Sequence, residues 1–193
     1  YTEVLTDTQK DEVLESVIAH KDFESFEDFF DAFVTQLRYF IPKFLYLCDR
    51  GQEVRAACHA KLVKAPFTDG CLEKGLPHDA GGPIYNFGVI ETAGAAVTAD
   101  SLTAIKKLVF EDKTLTLAQL NQLMKDNWAD QEALRLTVKN KFPKYGMGDA
   151  EADRLAAELV KVLAKQINGQ PNARGGKYRL GMFTITARWE IGA

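Results

Sequence analysis

The sequence predicts an α/β protein that is mostly helical. Three observations carry that reading. Apolar residues recur at helical spacing over most of the 193 residues. Only two stretches are β-branched and aromatic enough to read as strands, Ile84 to Ile90 and the alternating segment from Met182 onward. Clusters of Gly, Pro and Asn punctuate the chain between these elements.

Taken in order, Thr6 to His20 carries a stripe of Val13, Leu14, Val17 and Ile18, which predicts a helix. Ser25 with Asp28 reads as a capping box. It opens an aromatic helix through Phe26, Phe29, Phe30, Phe33, Leu37, Phe40 and Ile41, apolar on more than one side and therefore in need of a larger body. Pro42 is expected to kink or restart the chain before Phe44 to Cys48. Asp49 to Lys64 reads as a further helix that Pro66 ends.

Gly75 to Pro83 reads as a loop, and Ile84 to Ile90 as a strand. Thr98 or Asp100 is expected to cap the next helix, whose apolar face is Leu102, Ile105, Leu108 and Val109. Thr116 with Gln119 makes a second capping box, and Gln131 to Lys139 a short helix. Pro143 to Gly148 is a turn, Asp149 to Ile167 the clearest helix, and Asn168 to Lys177 a loop. From Met182 the chain alternates, with Phe183, Ile185, Ala187, Trp189 and Ile191 on one side. That strand stops at Ala193 without a partner, and the chain opens without Met, so both ends read as cut from a longer body.

Composition narrows the function. A net charge of -3 offers no electrostatic attraction for nucleic acid or an anionic membrane. No apolar run approaches the roughly 18 residues of a membrane span, and no signal peptide opens the chain, so a cytoplasmic protein is expected. Three widely spaced cysteines, Cys48, Cys58 and Cys71, lack the pairing of a zinc knuckle or a disulfide framework. No metal is expected.

The motifs carry less chemistry than they suggest. Gly81-Gly82 precedes a strand rather than a helix, the wrong context for cradling phosphate. Cys58 and His59 are adjacent, so on a helix they diverge by about 100° and form no dyad. Arg174, Lys177, Tyr178 and Arg179 make a small basic patch, read as a solvated loop. Gly70-Cys71-Leu72-Glu73 places a thiol two residues from a carboxylate, a pair that could serve hydrogen abstraction and proton transfer. Its structural alternative is a helix-end cysteine beside an exposed glutamate.

Cys71 to Phe110 closely resembles a segment of the glycyl radical enzymes, the superfamily of pyruvate formate-lyase and the diol dehydratases. The resemblance rests on Cys71-Leu72-Glu73-Lys74-Gly75, on Gly81-Gly82-Pro83-Ile84-Tyr85-Asn86, and on Ala99-Asp100-Ser101-Leu102 running into Lys106-Lys107-Leu108-Val109-Phe110. Phe142-Pro143-Lys144-Tyr145-Gly146 with Asp149 and Asp153 is similar to a later turn and helix start of the family. Met147 stands where the family usually has Asn, and Gly70 where it commonly has an acid.

The resemblance implies part of a ten-stranded α/β barrel, here outer helices plus about two barrel strands, with residues 1–193 a partial domain truncated at both ends. It implies a parent enzyme that cleaves a C–O, C–N, C–S or C–C bond of a small substrate by thiyl-radical hydrogen abstraction. The glycyl radical would lie outside this chain, installed by a radical S-adenosylmethionine activating enzyme, and the full-length protein would be a homodimer. Cys71 and Glu73 then belong to a later, non-catalytic stretch, so no catalytic residue is expected here. Tyr85 and Asn86 are the candidates for substrate contact. The competing reading is a non-catalytic helical scaffold or interaction module derived from the same fold.

Overall fold

The computed structural model describes residues 23–183. The helix expected at Thr6 to His20 and the strand expected beyond Phe183 lie outside the described residues. The chain divides into two compact units, with the boundary after Phe40.

The first unit, from Phe23 as described, is the opening of a long helix, α1 (Phe26–Cys58). Ser25 caps its start, but the expected capping box is only half formed, because the Asp28 carboxylate accepts the Ser25 hydroxyl rather than its backbone N–H. The Asp28 N–H donates to Ser25 Oγ at 3.1 Å, and the Ser25 hydroxyl donates to the Asp28 carboxylate at 2.7 Å. Phe26, Phe30 and Val34 are buried at i, i+4, i+8 spacing, and the Phe26 and Phe30 rings stack at 6.2 Å.

The second unit, from Ile41, begins with the rest of α1. Pro42 does not restart the chain, because the helix continues through it to Cys58. A proline inside a helix removes one hydrogen bond and crowds the preceding turn. Pro42 is exposed, so water can replace the lost bond, and α1 absorbs the penalty over its 33 residues. The helix expected to reach Lys64 ends at Cys58. A 3-10 turn, Leu62–Phe67, follows it and takes in Pro66.

A one-turn helix, α2 (Cys71–Lys74), and a 3-10 turn, His78–Ala80, then lead to strand β1 (Gly88–Thr92). β1 is later than the expected Ile84 to Ile90. Asp69 and Gly82 hold Ile84 within a folded-back loop: the Ile84 N–H donates to the Asp69 carbonyl at 3.0 Å, and a Cβ on Gly70 would lie 2.9 Å from the Gly82 carbonyl.

Helix α3 (Ala95–Ile105) starts one turn before either expected cap, at Gly94 with φ 83. Thr98 Oγ1 donates back to the Gly94 carbonyl inside the helix, and Asp100 is spent elsewhere. α3 widens into a π-helical stretch, Lys106–Glu111, before α4 (Leu117–Lys125) and α5 (Glu132–Lys141). The Thr116–Gln119 capping box is present in both directions, at 2.8 and 3.2 Å.

Helix α6 (Ala150–Ile167) is capped by Asp149, whose carboxylate accepts the N–H groups of Glu151 and Ala152. Its stripe of Leu155, Leu159, Leu163 and Ile167 is buried as the period predicts. Ala99 on α3 and Ala152 on α6 are both 0% exposed, and these small side chains fit the close packing of the two helices. Strand β2 (Tyr178–Met182) pairs with β1 in parallel, Gly88 opposite Tyr178 and Thr92 opposite Met182. One face of this pair is covered: Leu45 of α1, Ile167 of α6 and Tyr178 form a buried cluster, with Ile41, Cys48, Ile90 and Leu180 against it.

Candidate functional site

Loop 69–87 is folded tightly, and glycines make the folding possible. Gly82 lies directly over the Cys71 thiol, where a Cβ would come within 2.7 Å of Sγ. Cys71 is 1% exposed, while Glu73 on the same turn is exposed. The Gly-Cys-x-Glu spelling therefore corresponds to a packed thiol and a solvated carboxylate.

A second loop, residues 172–177, grips the lead-in to β1. Asn172 organises it: its Oδ1 accepts the N–H groups of Arg174 and Gly176, each at 3.0 Å, and its Nδ2 donates to the Asn86 carbonyl at 2.7 Å. Gly176 sits so close to that carbonyl that any Cβ would overlap it. The Arg174 guanidinium donates to the Phe87 carbonyl at 2.8 Å, and the Gly88 N–H to the Lys177 carbonyl at 3.0 Å.

This corrects the reading of Arg174 to Arg179 as a solvated basic loop. Arg174 is bonded, and Tyr178 is 1% exposed. The Arg179 guanidinium lies 3.8 Å from the Phe87 ring centroid, a cation–π contact. The pair of consecutive glycines between Asn172 and Tyr178 was the signal in the sequence for a close backbone approach.

Of the two expected substrate contacts, Asn86 uses its Nδ2 locally, donating to the Gly81 and Pro83 carbonyls at 3.1 and 2.8 Å, while its buried Oδ1 has no partner among the described residues. Tyr85 is exposed and stacks on Phe87, with ring planes 9° apart.

Tyr178 anchors the covered face of the sheet. Its hydroxyl donates to Asp49 Oδ1 at 2.8 Å and accepts from Gln52 Nε2 at 3.1 Å. Burial, and then the Asp49 carboxylate, push its phenol above the usual tyrosine range. Burial and the Asp49 charge also raise the Cys48 thiol, which keeps it protonated and a poor nucleophile. Cys58 ends α1, and both it and His59 are exposed, with no hydrogen bond between them. Among the described residues no three His, Cys, Asp or Glu side chains are grouped to hold a metal, and no helix is long and apolar enough to cross a membrane.

Among the described residues, nothing covers the other face of the sheet. A Cβ on Gly88 would point into the Tyr178 ring, so alternation sends Phe87, Val89 and Glu91 the opposite way. Arg179 and Gly181 share that side, since Arg179 meets Phe87 and a Cβ on Gly181 would meet Val89. Val89 is 58% exposed. Parallel strands are normally covered on both faces, so a bare face on a parallel pair is the feature that points to function.

Turn 142–148 ties the outer helices together. Asp100 Oδ1 accepts the Tyr145 N–H at 2.7 Å, and Asp153 Oδ1 accepts the Gly146 N–H at 2.9 Å. Lys106 at the start of the π-helical stretch pairs with Glu151 of α6. Asp100 and Asp153 thus have a mechanical role.

Comparison with known proteins gives the same picture. The chain is 34% identical to trans-4-hydroxy-L-proline dehydratase of Clostridioides difficile over 176 residues, covering 89% of this chain and 22% of that protein. It is 34% identical to (2S)-3-sulfopropanediol dehydratase of Klebsiella oxytoca over 139 residues, covering 69% of this chain and 17% of that one. The crystal structure of the hydroxyproline dehydratase with trans-4-hydroxy-L-proline bound superposes with a TM-score of 0.77 at 34% identity, over 83% of this chain and 20% of that one. The chain therefore spans 22% or less of the length of these relatives. The family model described as pyruvate formate lyase-like matches this chain from residue 4 to residue 192, and the chain belongs to that family.

Proposed function

We propose that this chain is a wall segment of a longer glycyl radical dehydratase or lyase, which cleaves a C–O, C–N, C–S or C–C bond of a small substrate. The observation that carries the reading is the parallel pair β1–β2, packed by α1 and α6 on one face and, among the described residues, bare on the other. In an α/β barrel, helices cover the outside of the strands, and the uncovered side faces the interior. The 34% identity and the match over residues 4–192 support the same assignment.

On this reading neither Cys71 nor Glu73 takes part in the radical chemistry. The thiol is sealed beneath Gly82, where no substrate reaches it. Asn86 holds the loop, and Tyr85 is the member of that pair left with a free ring face. The glycyl radical and the thiyl cysteine belong to parts of the parent outside Tyr1–Ala193. A radical S-adenosylmethionine activating enzyme installs the radical, and the parent works as a cytoplasmic homodimer.

The test is electron paramagnetic resonance on the longer protein that carries this segment, incubated anaerobically with its activating enzyme. A glycyl radical signal is expected there, and none on the 193-residue chain alone. A longer protein that stays silent where a known family member is activated alongside it would leave the non-catalytic scaffold as the better account. A radical on the 193-residue chain would overturn the placement of the radical machinery.

A further inference from the structure

A groove of about 400 Å³ opens between α3, α4 and α5. That volume falls within the roughly 300–1,000 Å³ of small-molecule sites. α3 and its π-helical continuation present Val97, Ser101, Ala104 and Leu108 to it, at the i, i+4, i+7, i+11 spacing of one helix face. Leu108 and Leu120 are buried in its lining, whereas Val97 and Met124 remain 63% and 54% exposed.

Two unusual backbone features border this groove. One is the π-helical stretch that carries Leu108, a widening that helices adopt mostly at functional positions. The other is the turn after α4, where Asn127, Trp128 and Asp130 all stand in the left-handed region, with φ 50, 60 and 59. A bulky residue such as tryptophan is held there only when its surroundings fix it. Here the Trp128 N–H donates to the Leu123 carbonyl at 2.8 Å, and its own carbonyl accepts the Gln131 N–H at 3.0 Å. The indole is thereby set in the groove wall beside Met124.

The charged lining is mostly cationic: Arg135, Lys139 and Lys144 against the single carboxylate of Asp100. Asp100 accepts the Tyr145 N–H, Arg135 holds both oxygens of Glu132 at 2.7 Å, and Lys144 Nζ donates to the Val138 carbonyl at 3.2 Å. Lys139 is exposed and makes no hydrogen bond or ion pair among the described residues. The groove is therefore locally positive on a chain whose net charge is -3.

We propose that this groove binds a small planar carboxylate, its ring against Trp128 and Met124 and its anionic group toward Lys139. An aromatic face and a thioether both favour a flat ring, and an ammonium without a direct partner favours a carboxylate. A neutral ring compound keeps the apolar contacts and loses the charge, and an ammonium on the same ring meets three cations. No lining residue belongs to β1, β2 or the loops 69–87 and 172–177, so the site is independent of the barrel reading.

Three probes share one fused ring and differ in the end group: 2-naphthoate, 2-naphthamide and 2-naphthylmethylamine. Their binding to the longer protein that carries this segment is measured by isothermal titration, without activation. Naphthoate is expected to bind with a Kd on the order of 0.1–1 mM. It should bind about three- to tenfold more tightly than the amide, with the amine weakest. Lys139→Gln should reduce the naphthoate-to-amide ratio to about twofold or less. Ser101→Phe, at an exposed position of the groove, fills it and should weaken both naphthoate and the amide by at least about tenfold.

Thermal unfolding midpoints of the variants check that the fold is kept. Naphthoate that does not bind, or binds no better than the amide, overturns the proposal. So does a Ser101→Phe protein that folds normally and still binds naphthoate fully, because the ligand then sits elsewhere. If Ser101→Phe shifts the midpoint, the Lys139→Gln ratio decides alone, and an unchanged ratio overturns the proposal.

Discussion

Gly88→Ala is the substitution that most directly probes how the two strands meet. A Cβ there would lie 2.6 Å from both Cδ1 and Cε1 of Tyr178, about 0.8 Å inside the 3.4 Å at which ordinary contact begins. The ring has no free direction in which to yield. Its hydroxyl is tied to Asp49 and Gln52, and its body is packed in the cluster with Leu45 and Ile167. Overpacking of this kind costs about 1–3 kcal/mol. Gly88 has no positive φ, so alanine also gains about 0.4–1 kcal/mol by restricting the unfolded chain. The net expectation is a loss of roughly 1–2 kcal/mol. Urea unfolding followed by circular dichroism measures it, with Tyr178→Leu and the double variant completing a cycle. Once the ring is gone, Gly88→Ala should cost little, leaving a coupling of about 1 kcal/mol or more. A neutral or stabilising Gly88→Ala in the presence of Tyr178, or strict additivity with Tyr178→Leu, would refute the argument.

Two further expectations concern pH. The folded-state pKa of Tyr178 is raised, so its contribution is complete below the unfolded tyrosine value of about 10 and fades as pH climbs above it. Unfolding midpoints should therefore fall on the alkaline side, and Tyr178→Phe, costing roughly 1–2 kcal/mol at neutral pH, should flatten that limb. Glu151 behaves oppositely. Hydrogen bonds from Arg154 and then Lys106 hold its carboxyl down at about 2, so its contribution is present above the unfolded glutamate value and is lost as pH falls toward 2. The pair is partly exposed and screened, so Glu151→Gln should cost roughly 1 kcal/mol at neutral pH. That cost should shrink with added salt and vanish in acid. A penalty independent of both would remove the ionic explanation.

Local signals are legible in the sequence wherever neighbouring residues supply the answer. The Ser25 cap, the full capping box at Thr116 and the stripe from Leu155 to Ile167 depend on residues three or four apart, and the structure shows each of them, although at Ser25 the Asp28 carboxylate takes the hydroxyl and not the backbone N–H. Failures occurred where a distant partner decides. Pro42 carries the local signature of a break, but the long helix on either side of it sustains the helical path. Asp100 looked like a cap, but the Tyr145 N–H, 45 residues away, takes its carboxylate. Arg174 to Arg179 looked solvated because Asn86 and Phe87, which bind it, lie almost 90 residues earlier. Ile84 carries strand propensity, yet the carbonyl of Asp69 claims its N–H and moves the strand to Gly88. The same dependence governs the site. The resemblance gave the family, whereas the bare face of Val89, Glu91 and Arg179 emerged only when the register of β1 against β2 was known.

That register also has a consequence for the order of assembly. Gly88 and Tyr178 are opposite each other with about 90 residues of chain between them. Closing a loop of that size costs about 4 kcal/mol in chain entropy before any ladder bond forms. Helices α3 to α6 are encoded inside that loop and nucleate on nearby contacts, shortening the distance to be closed. The two strands consequently come together late, when the helices have already carried Tyr178 to within reach of Gly88. A chain still emerging from the ribosome holds β1 without its mate until Met182 has been added, and the glycine at position 88 keeps the slot for the tyrosine open during that wait.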